Sequence, residues 1–307
     1  MPPTFDVVGL GSVTVDILSL VDHFPDREEV QQAQAIVLDG GGPVATAMVT
    51  LARLGAKVAI IDAIGDDWQG RFIRESLQRE GVSTDYLRVI AGSNSSASTI
   101  MVRQGDGARS IVFAPGRGAD LTVDDLPRDL VALAAFLHVN GRHWELCLQT
   151  CRYAREHGVQ VSFDGGAQRY RPAMRELVPL TDICIVARDF AESYTQTTEI
   201  WQAGQVMLSE GPRLVGITDG VHGSWIFPQG DSAFHQPAYR LPRVVDTTGC
   251  GDSYHGAFLF GLLRGLDLRQ TAALASAVAA LNTQHLGGRA GLPTYEQVMA
   301  FLAEVGD

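Results

Sequence analysis

No run of lysine and arginine occurs anywhere in the 307 residues, and acidic side chains outnumber basic ones by 35 to 24, for a formal net charge of −11. Such a chain repels a phosphate backbone unless its few basic residues cluster, so nucleic acid is not an expected partner. Also missing is any apolar stretch near the roughly 20 residues that a bilayer-spanning helix needs. The start, MPPTFDVVGLG, lacks a basic segment leading into an apolar signal core, so the expected location is cytoplasmic, with no membrane partner. Cysteine is scarce. Of Cys147, Cys151, Cys184 and Cys250 only the first two are neighbours, too few ligands for zinc, and the first three are expected to be small apolar fillers in a reducing compartment. Internal repeats and low-complexity linkers are absent, and no long segment is poor in apolar residues, so the chain should be ordered nearly throughout.

What is present is a composition 46% hydrophobic, enough for one large α/β domain over residues 1–307. Apolar runs at Phe5–Leu10, Val58–Ile61, Phe136–Val139, Val159–Phe163, Ile183–Val186 and Leu214–Thr218 alternate with segments of helical period. That order predicts a buried, mainly parallel sheet flanked by helices, a three-layer αβα sandwich. Val44, Met48, Leu51 and Leu54 recur at helical spacing between Pro43, suited to a first turn, and Gly55, suited to a stop. A second helix is predicted near Gly70–Arg79, with Ile73 over Leu77 and an end at Gly81. Two segments, about 15–38 and 97–114, break the pattern, being more polar and alternating. With a hairpin turn at Gln104–Gly107, they predict a few strands projecting from the body as a lid beside the ligand edge.

The segment Asp246-Thr247-Thr248-Gly249-Cys250-Gly251-Asp252, running into an apolar helix through Phe258–Leu263, carries the most chemistry. A strand is predicted to end at Val244–Val245 just before it. Gly249 and Gly251 allow a sharp turn that aims backbone N–H groups at one point, and the following helix adds the positive end of its dipole. Such a place binds an anion, and in phosphoryl transfer the relevant charge is that spread over the migrating γ-phosphoryl group. A carboxylate at its mouth, Asp252, is placed to take the proton of an attacking hydroxyl.

The string DTTGCGDSYHGA resembles the second signature of the ribokinase-like PfkB carbohydrate kinases, and Gly40-Gly41-Gly42-Pro43-Val44-Ala45-Thr46-Ala47 resembles the first. The resemblance implies a ribokinase-like fold and an ATP- and Mg2+-dependent sugar kinase. Asp252 would be its base, and the N–H groups of Gly249, Cys250 and Gly251 its anion hole. It further implies Asp16, Gly41, Gly42 and Thr46 at the sugar, and Thr218, Gly220, Gly223, Asn282 and Gly288 at the nucleotide. The segment Gly287–Pro293 would close over adenine. Asp246 and Thr248 match the positions beside a monovalent cation, with K+ the candidate, and a homodimer through the lid is the implied assembly. GGGPVATA together with GGRAGLP resembles most closely the branch of sulfofructose kinase and fructokinase-like enzymes, in which Arg142 would fork onto an anionic group or two hydroxyls of the substrate.

The chain departs from the family pattern at three places. Thr46 and Thr14 stand where relatives carry asparagines, which turns the expected acceptor away from ribose towards fructose or a related ketose, ahead of a nucleoside or a sulfonated ketose. The Asn-x-x-Glu motif that organises magnesium is missing near Ala187–Phe190. Two rival classes remain: a non-catalytic sugar or nucleotide sensor, opposed by Asp252 in an intact glycine loop, and a dinucleotide oxidoreductase, opposed by the missing third glycine after Gly9 and Gly11.

Overall fold

The computed structural model describes residues 5–118 and 120–305, so the domain expected over 1–307 extends beyond the described residues. The strands are β1 (Phe5–Leu10), β2 (Thr14–Val21), β3 (Ala35–Gly41), β4 (Val58–Gly65), β5 (Leu87–Ile90), β6 (Ala97–Arg103), β7 (Arg109–Ala114), β8 (Ala134–Val139), β9 (Gln160–Gly165), β10 (Ile183–Ala187), β11 (Leu214–Thr218), β12 (Ser224–Pro228) and β13 (Phe234–Gln236). Nine of them form the main sheet in the order β13-β12-β11-β10-β9-β8-β1-β4-β5. All its pairs from β11 to β5 are parallel, and β12 and β13 add an antiparallel edge.

Burial on both faces explains why these strands read as unbroken apolar runs rather than alternating ones. Ile183 and Ile185 of β10 point into one core, while Cys184 and Val186 point into the other. On the first face lie α1 (Pro43–Leu54) and α2 (Trp68–Arg79). The opposite face carries α3 (Arg128–Ala132), α4 (Trp144–Glu156), α5 (Met174–Leu177), α6 (Arg188–Thr195) and α7 (Ile200–Leu208). The chain then returns to the first face with α8 (Cys250–Leu263), α9 (Leu268–Asn282) and α10 (Tyr295–Val305). The result is an αβα sandwich. Cys147, Cys151 and Cys184 are free and buried in it, and burial pushes the Cys184 thiol up to about 12.

Helix α1 begins with Pro43 in its first turn and ends on Gly55, left-handed at φ 104°, whose N–H caps Leu51 and Ala52. Helix α2 is capped by the Asp67 carboxylate, which accepts from the Gly70 N–H at 2.8 Å and from the Ser95 N–H at 2.9 Å. That second bond fixes the segment leading into β6.

The two polar segments form a separate four-stranded sheet in the order β3-β2-β6-β7, in which β2 and β6 run parallel and the outer pairs antiparallel. Register decides what each face holds, because neighbouring residues on a strand point to opposite sides. Asp39, Asp16, Ser98 and Phe113 form one row of the inner face, with Val37, Leu18, Ile100 and Ile111 next to them. The outer face carries the row Leu38, Ile17, Thr99 and Val112, beside Ile36, Ser19, Met101 and Ser110. It is apolar and open, with Ile36 68% exposed, Leu38 53% and Val112 66%.

One expected strand does not form. Residues 241–248 carry no ladder, and Val245 and Asp246 instead donate their N–H groups to the Thr283 carbonyl. Pro237 and Pro242 remove two donors in the approach, so the chain leaves the sheet after β13 and reaches the glycine loop as irregular backbone.

Candidate active site

The parallel strands β1, β8, β9, β10 and β11 all end at one edge of the main sheet, and the inner face of the small sheet stands over it. A cleft of about 1360 Å³ lies between them. Asp16, Gly42, Arg142, Thr218, Gly220, Gly223, Thr248, Gly249, Cys250, Gly251 and Asp252 all line it, so the fold gathers these expected site residues into one place. Gly41, Thr46, Asn282, Gly288 and Asp246 do not line it. They lie behind its wall, and each has a structural partner there.

At the start of α8, Gly249 takes the left-handed conformation at φ 73°, and a Cβ there would stand 2.6 Å from the Gly288 carbonyl oxygen. This position therefore needs glycine twice over, for its backbone angle and for the close approach of the second loop. The Ser253 N–H reaches back to the Gly249 carbonyl at 2.8 Å and closes the first helical turn. N–H groups nearer the helix start have no intrahelical acceptor four residues back, so they are available to an anion. Cys250 is the weakest of these donors, because its N–H already faces the Thr247 carbonyl at 3.4 Å. Burial pushes the Cys250 thiol up to about 12, which keeps it neutral beside the loop.

Asp252 sits in the first turn of α8. Burial, and after it the charge of Asp164, push its carboxyl above the usual carboxylate range, which makes it a better proton acceptor than a free aspartate. Asp164, at the end of β9, behaves oppositely. Burial alone would raise it, but His255 Nε2 at 3.2 Å from Oδ1 and Arg169 Nη1 at 3.8 Å from Oδ2 hold it well below the ordinary value. Its Oδ2 has no hydrogen-bond partner although it is buried. Behind it, His138 is fully buried, donates or accepts one bond with Ser162 Oγ at 3.0 Å, and is driven down to about 3 by its burial.

At the other end of the cleft Asp16 accepts from the Thr14 hydroxyl at 2.8 Å. Thr14, one of the two departures from the family pattern, thus orients the carboxylate. Burial pushes Asp16 up to about 6, and the Thr14 bond and the Arg289 charge only partly offset it. Gly41 stands directly behind, where a Cβ would meet Asp16 Oδ2 at 2.0 Å.

Thr46, the second departure, lies in α1, and Arg289 Nε donates to its hydroxyl at 3.2 Å. The same guanidinium donates to the Gly41 carbonyl at 2.6 Å, and the Arg289 backbone N–H to Asp39 at 3.0 Å. Arg289 was not singled out by sequence reasoning. Its signal was a lone charge set among Gly287, Gly288, Ala290 and Gly291, where only a purpose for the charge explains its presence. The segment Gly287–Pro293, expected over adenine, is not among the residues that line the cleft. Tyr239, Arg240, Leu241, Ser276, Ala279 and Ala280 do line it.

Arg142 follows β8 on a turn made by Gly141 and the left-handed His143. His143 Nδ1 accepts from the Leu121 N–H at 3.1 Å, so Nε2 carries the proton and donates to Asp62 Oδ1 at 2.6 Å. Because that acceptor is taken, Arg142 reaches Asp62 and Asp120 only at 3.6 Å, and its fork remains open to the cleft. Near Ala187–Phe190, where the magnesium motif is missing, Arg188 opens α6 and pairs with Glu192 at 2.8 Å and Asp219 at 3.0 Å. Those two carboxylates are therefore already engaged.

A model of the pfkB family carbohydrate kinases matches residues 4–295, so the chain belongs to that family and is a sugar kinase. It is 28% identical to the 5-dehydro-2-deoxygluconokinase of Shouchella clausii, over 98% of this chain and 96% of the relative. It is 30% identical to the 2-dehydro-3-deoxygluconokinase of Bacillus subtilis, over 82% of this chain and 83% of the relative. Among solved structures, the Arabidopsis thaliana ribokinase complexed with ribose and ATP superposes with a TM-score of 0.81 at 25% identity, covering 98% of this chain and 99% of that one. The sugar kinase expected from the motifs is therefore what the chain is, and its fold is the ribokinase-like one. Among the described residues, no helix is long and apolar enough to cross a membrane.

The raised Asp16 carboxyl has a sign that can be checked. The folded chain holds the proton up to about pH 6, whereas the unfolded chain loses it near 3.8. Stability therefore falls as pH rises between those values, by about 3 kcal/mol for a shift of this size. Asp16→Asn, which carries no charge at any pH, should gain on the parent in urea denaturation at pH 7, and the gain should disappear at pH 4. A difference that does not change with pH would mean that Asp16 titrates as an ordinary carboxylate.

Proposed function

We propose that this sugar kinase transfers the γ-phosphoryl group of ATP to a hydroxyl of a keto sugar carrying an anionic group, with Asp252 as the base. The observation that carries the reading is that Asp252, the glycine loop Thr248–Gly251, Asp164 and Arg142 line one cleft, with Asp164 facing His255 at 3.2 Å and Arg169 at 3.8 Å. In the step itself, Asp252 takes the proton of the acceptor hydroxyl and the freed oxygen forms a bond to the γ-phosphorus. The bond from that phosphorus to its bridging oxygen breaks, and ADP leaves with the electron pair. The N–H groups at the start of α8 stabilise the charge on the phosphoryl oxygens while they are in flight.

Mg2+ would sit beside Asp164, whose buried Oδ2 is free. No group of three metal-ligating side chains comes together among the described residues, which suits an ion held mainly by phosphates and water. When bound, the ion neutralises phosphate charge. A monovalent cation, with K+ the candidate, suits the pocket behind the glycine loop. Asp246 is 0% exposed there without a cationic side chain, and its oxygens accept only from the Thr248 N–H at 2.8 Å and the Gly287 N–H at 2.9 Å. The buried Thr248 hydroxyl beside it has no partner.

At the acceptor end, Asp16 accepts sugar hydroxyls, and Gly42 lets the backbone come close. Thr46 supports this end from behind, through Arg289. Arg142 faces the anionic group with its open fork, with Arg169 on the same wall. The two gluconokinase relatives are named for keto derivatives of gluconate, which carry a carboxylate. A neutral ketose such as fructose is the second reading, favoured by Asp16, which binds hydroxyls without needing any charge on the sugar. Thr218, Gly220 and Gly223 on the far side serve the nucleotide, with Asn282 and Gly288 bracing the loop by a 2.9 Å bond. The small sheet acts as a lid that excludes water from the phosphoryl group. Its open outer face is where a second copy of the chain docks.

Three outcomes are expected. Asp252→Asn should bind ATP and sugar almost unchanged while kcat falls by at least about 10²-fold, the usual range for a lost general base. Retention of a tenth of the activity at saturation would remove Asp252 as the base. In an ADP-release assay, 2-keto and 5-keto sugar acids should outperform neutral ketoses. Arg142→Lys should then raise KM for the acid, at unchanged KM for ATP, by about tenfold, the effect of losing one arm of a charged fork. Equal rates for fructose and the acids, or no effect of the variant, would return the reading to the neutral ketose. Light scattering should give a dimer for the parent and a monomer for Leu38→Glu; a monomeric parent would discard the lid interface.

A further inference from the structure

Asp62 is a lone carboxylate in β4, a strand in which all eight residues are buried. An unpaired charge in such a place is strongly unfavourable, so the group needs donors around it. It has them. Oδ2 accepts the Val13 N–H at 2.9 Å, and Oδ1 accepts the Ala63 N–H at 2.8 Å and His143 Nε2 at 2.6 Å. The His143 side chain is itself 0% exposed, and its Nδ1 accepts the Leu121 N–H at 3.1 Å.

These partners come from telling places in the chain. Val13 lies between β1 and β2, where the chain leaves the main sheet for the small one, and Leu121 lies between β7 and α3, where it returns. The first and the last connection of the lid therefore end on one buried pair, Asp62 and His143. The residue before His143 is Arg142, whose Nε stands 3.6 Å from Asp62 Oδ1, the oxygen that His143 holds at 2.6 Å. A guanidinium and a carboxylate this close tend to close into a direct forked pair. His143 prevents that by taking the oxygen first. Neither Asp62 nor His143 lines the cleft, whereas Arg142 does.

We infer that Asp62 and His143 are positioning residues, a pin that fixes the first and last connections of the lid and keeps Arg142 extended towards the acceptor. The inference rests on the reading of Arg142 as the contact for the anionic group of the sugar. The neutral ring uses both nitrogens: Nε2–H keeps Asp62 from Arg142, and Nδ1 fixes Leu121. No proton is transferred. Arg142 and His143 share one tight turn, with Gly141 at φ 82° and His143 at φ 51°. An acceptor that draws Arg142 into the cleft thus also pulls on the ring that holds the returning lid segment. Recognition of the sugar's charge and closure of the sheet above it are linked through two consecutive residues.

His143→Leu removes both bonds of the ring, whereas His143→Gln keeps one donor and one acceptor. With 2-keto and 5-keto sugar acids, His143→Leu should raise the acceptor KM about tenfold at unchanged KM for ATP, because Arg142 then closes on Asp62 and its fork is lost to the sugar. His143→Gln should recover most of that loss. In an Arg142→Ala background, His143→Leu should add nothing further to the acceptor KM, since both changes remove the same contact. Additive losses, or a Gln variant no better than the Leu variant, would reduce the pair to packing and overturn the inference. Amide exchange of the sugar-free protein reads the hinge without turnover. Leu121 should exchange about tenfold faster in His143→Leu and at the parent's rate in Arg142→Ala. Should His143→Leu not fold, as judged by lost ATP binding, Asp62→Asn serves: its NH2 faces His143, turns the tautomer and should release Leu121 in the same way. Unchanged exchange of Leu121 overturns the pin. If Arg142→Ala keeps the parent's acceptor KM, the anionic-acceptor reading is what has failed, and the exchange of Leu121 still decides for or against the pin.

Discussion

The geometry of this enzyme depends on one buried guanidinium. Arg289 is 3% exposed, and its three bonds go to a strand carbonyl of the small sheet, a helix hydroxyl of the main body and, through its own backbone, the carboxylate of Asp39. Burial pushes its proton affinity down, and the charges of Asp39 and Asp16 sustain it. Asp16, buried beside the half-buried Asp39, is in turn compensated by Arg289, since an uncompensated buried charge costs several kcal/mol. The inner row of the small sheet, the start of α1 and the loop after α9 therefore hold together as one unit. Lys57 is the only lysine in the sequence, so every other fixed cation is a planar fork able to make two or three directed bonds at once.

From that unit the electrostatics of the cleft can be followed end to end. Asp16, at one end, is buried and reluctant to ionise. Asp164, in the middle, is kept charged by His255 and Arg169. Asp252, next to the glycine loop, is made more basic by burial and by Asp164. Three aspartates thus acquire three different tendencies from their neighbours alone. A single cleft can then bind a neutral donor, carry a fixed negative charge and accept a proton, without the groups exchanging roles.

Much of this was legible in the residues. The helix stop at Gly55, the glycine loop before α8 and the alternation that sets the small sheet apart are all local signals, because period and turn chemistry act over a few positions. The strand expected at Val244–Val245 failed because Pro237 and Pro242 interrupt the approach and because Val245 and Asp246 find their acceptor at Thr283, at the end of α9, a partner that local pattern does not announce. Arg289 and the Asp62–His143 contact were not legible either. Each depends on residues dozens to hundreds of positions apart, as with Arg289 and Gly41, and a single chain read in order has no signal of that distance.

The small sheet is assembled from two separate excursions of the chain, one between β1 and α1 and the other between β5 and α3, and they are joined only through the parallel pairing of β2 with β6. No hairpin connects them. That pairing forms only after about a hundred residues have been made and the first strands of the main sheet have met, which places it among the non-local, slow contacts of folding. The glycine loop that its far hairpin finally touches is synthesised far later still. The docking of Gly107 on Thr247, 140 positions apart in the sequence, is therefore the contact that ties the small sheet to a loop from the far end of the chain.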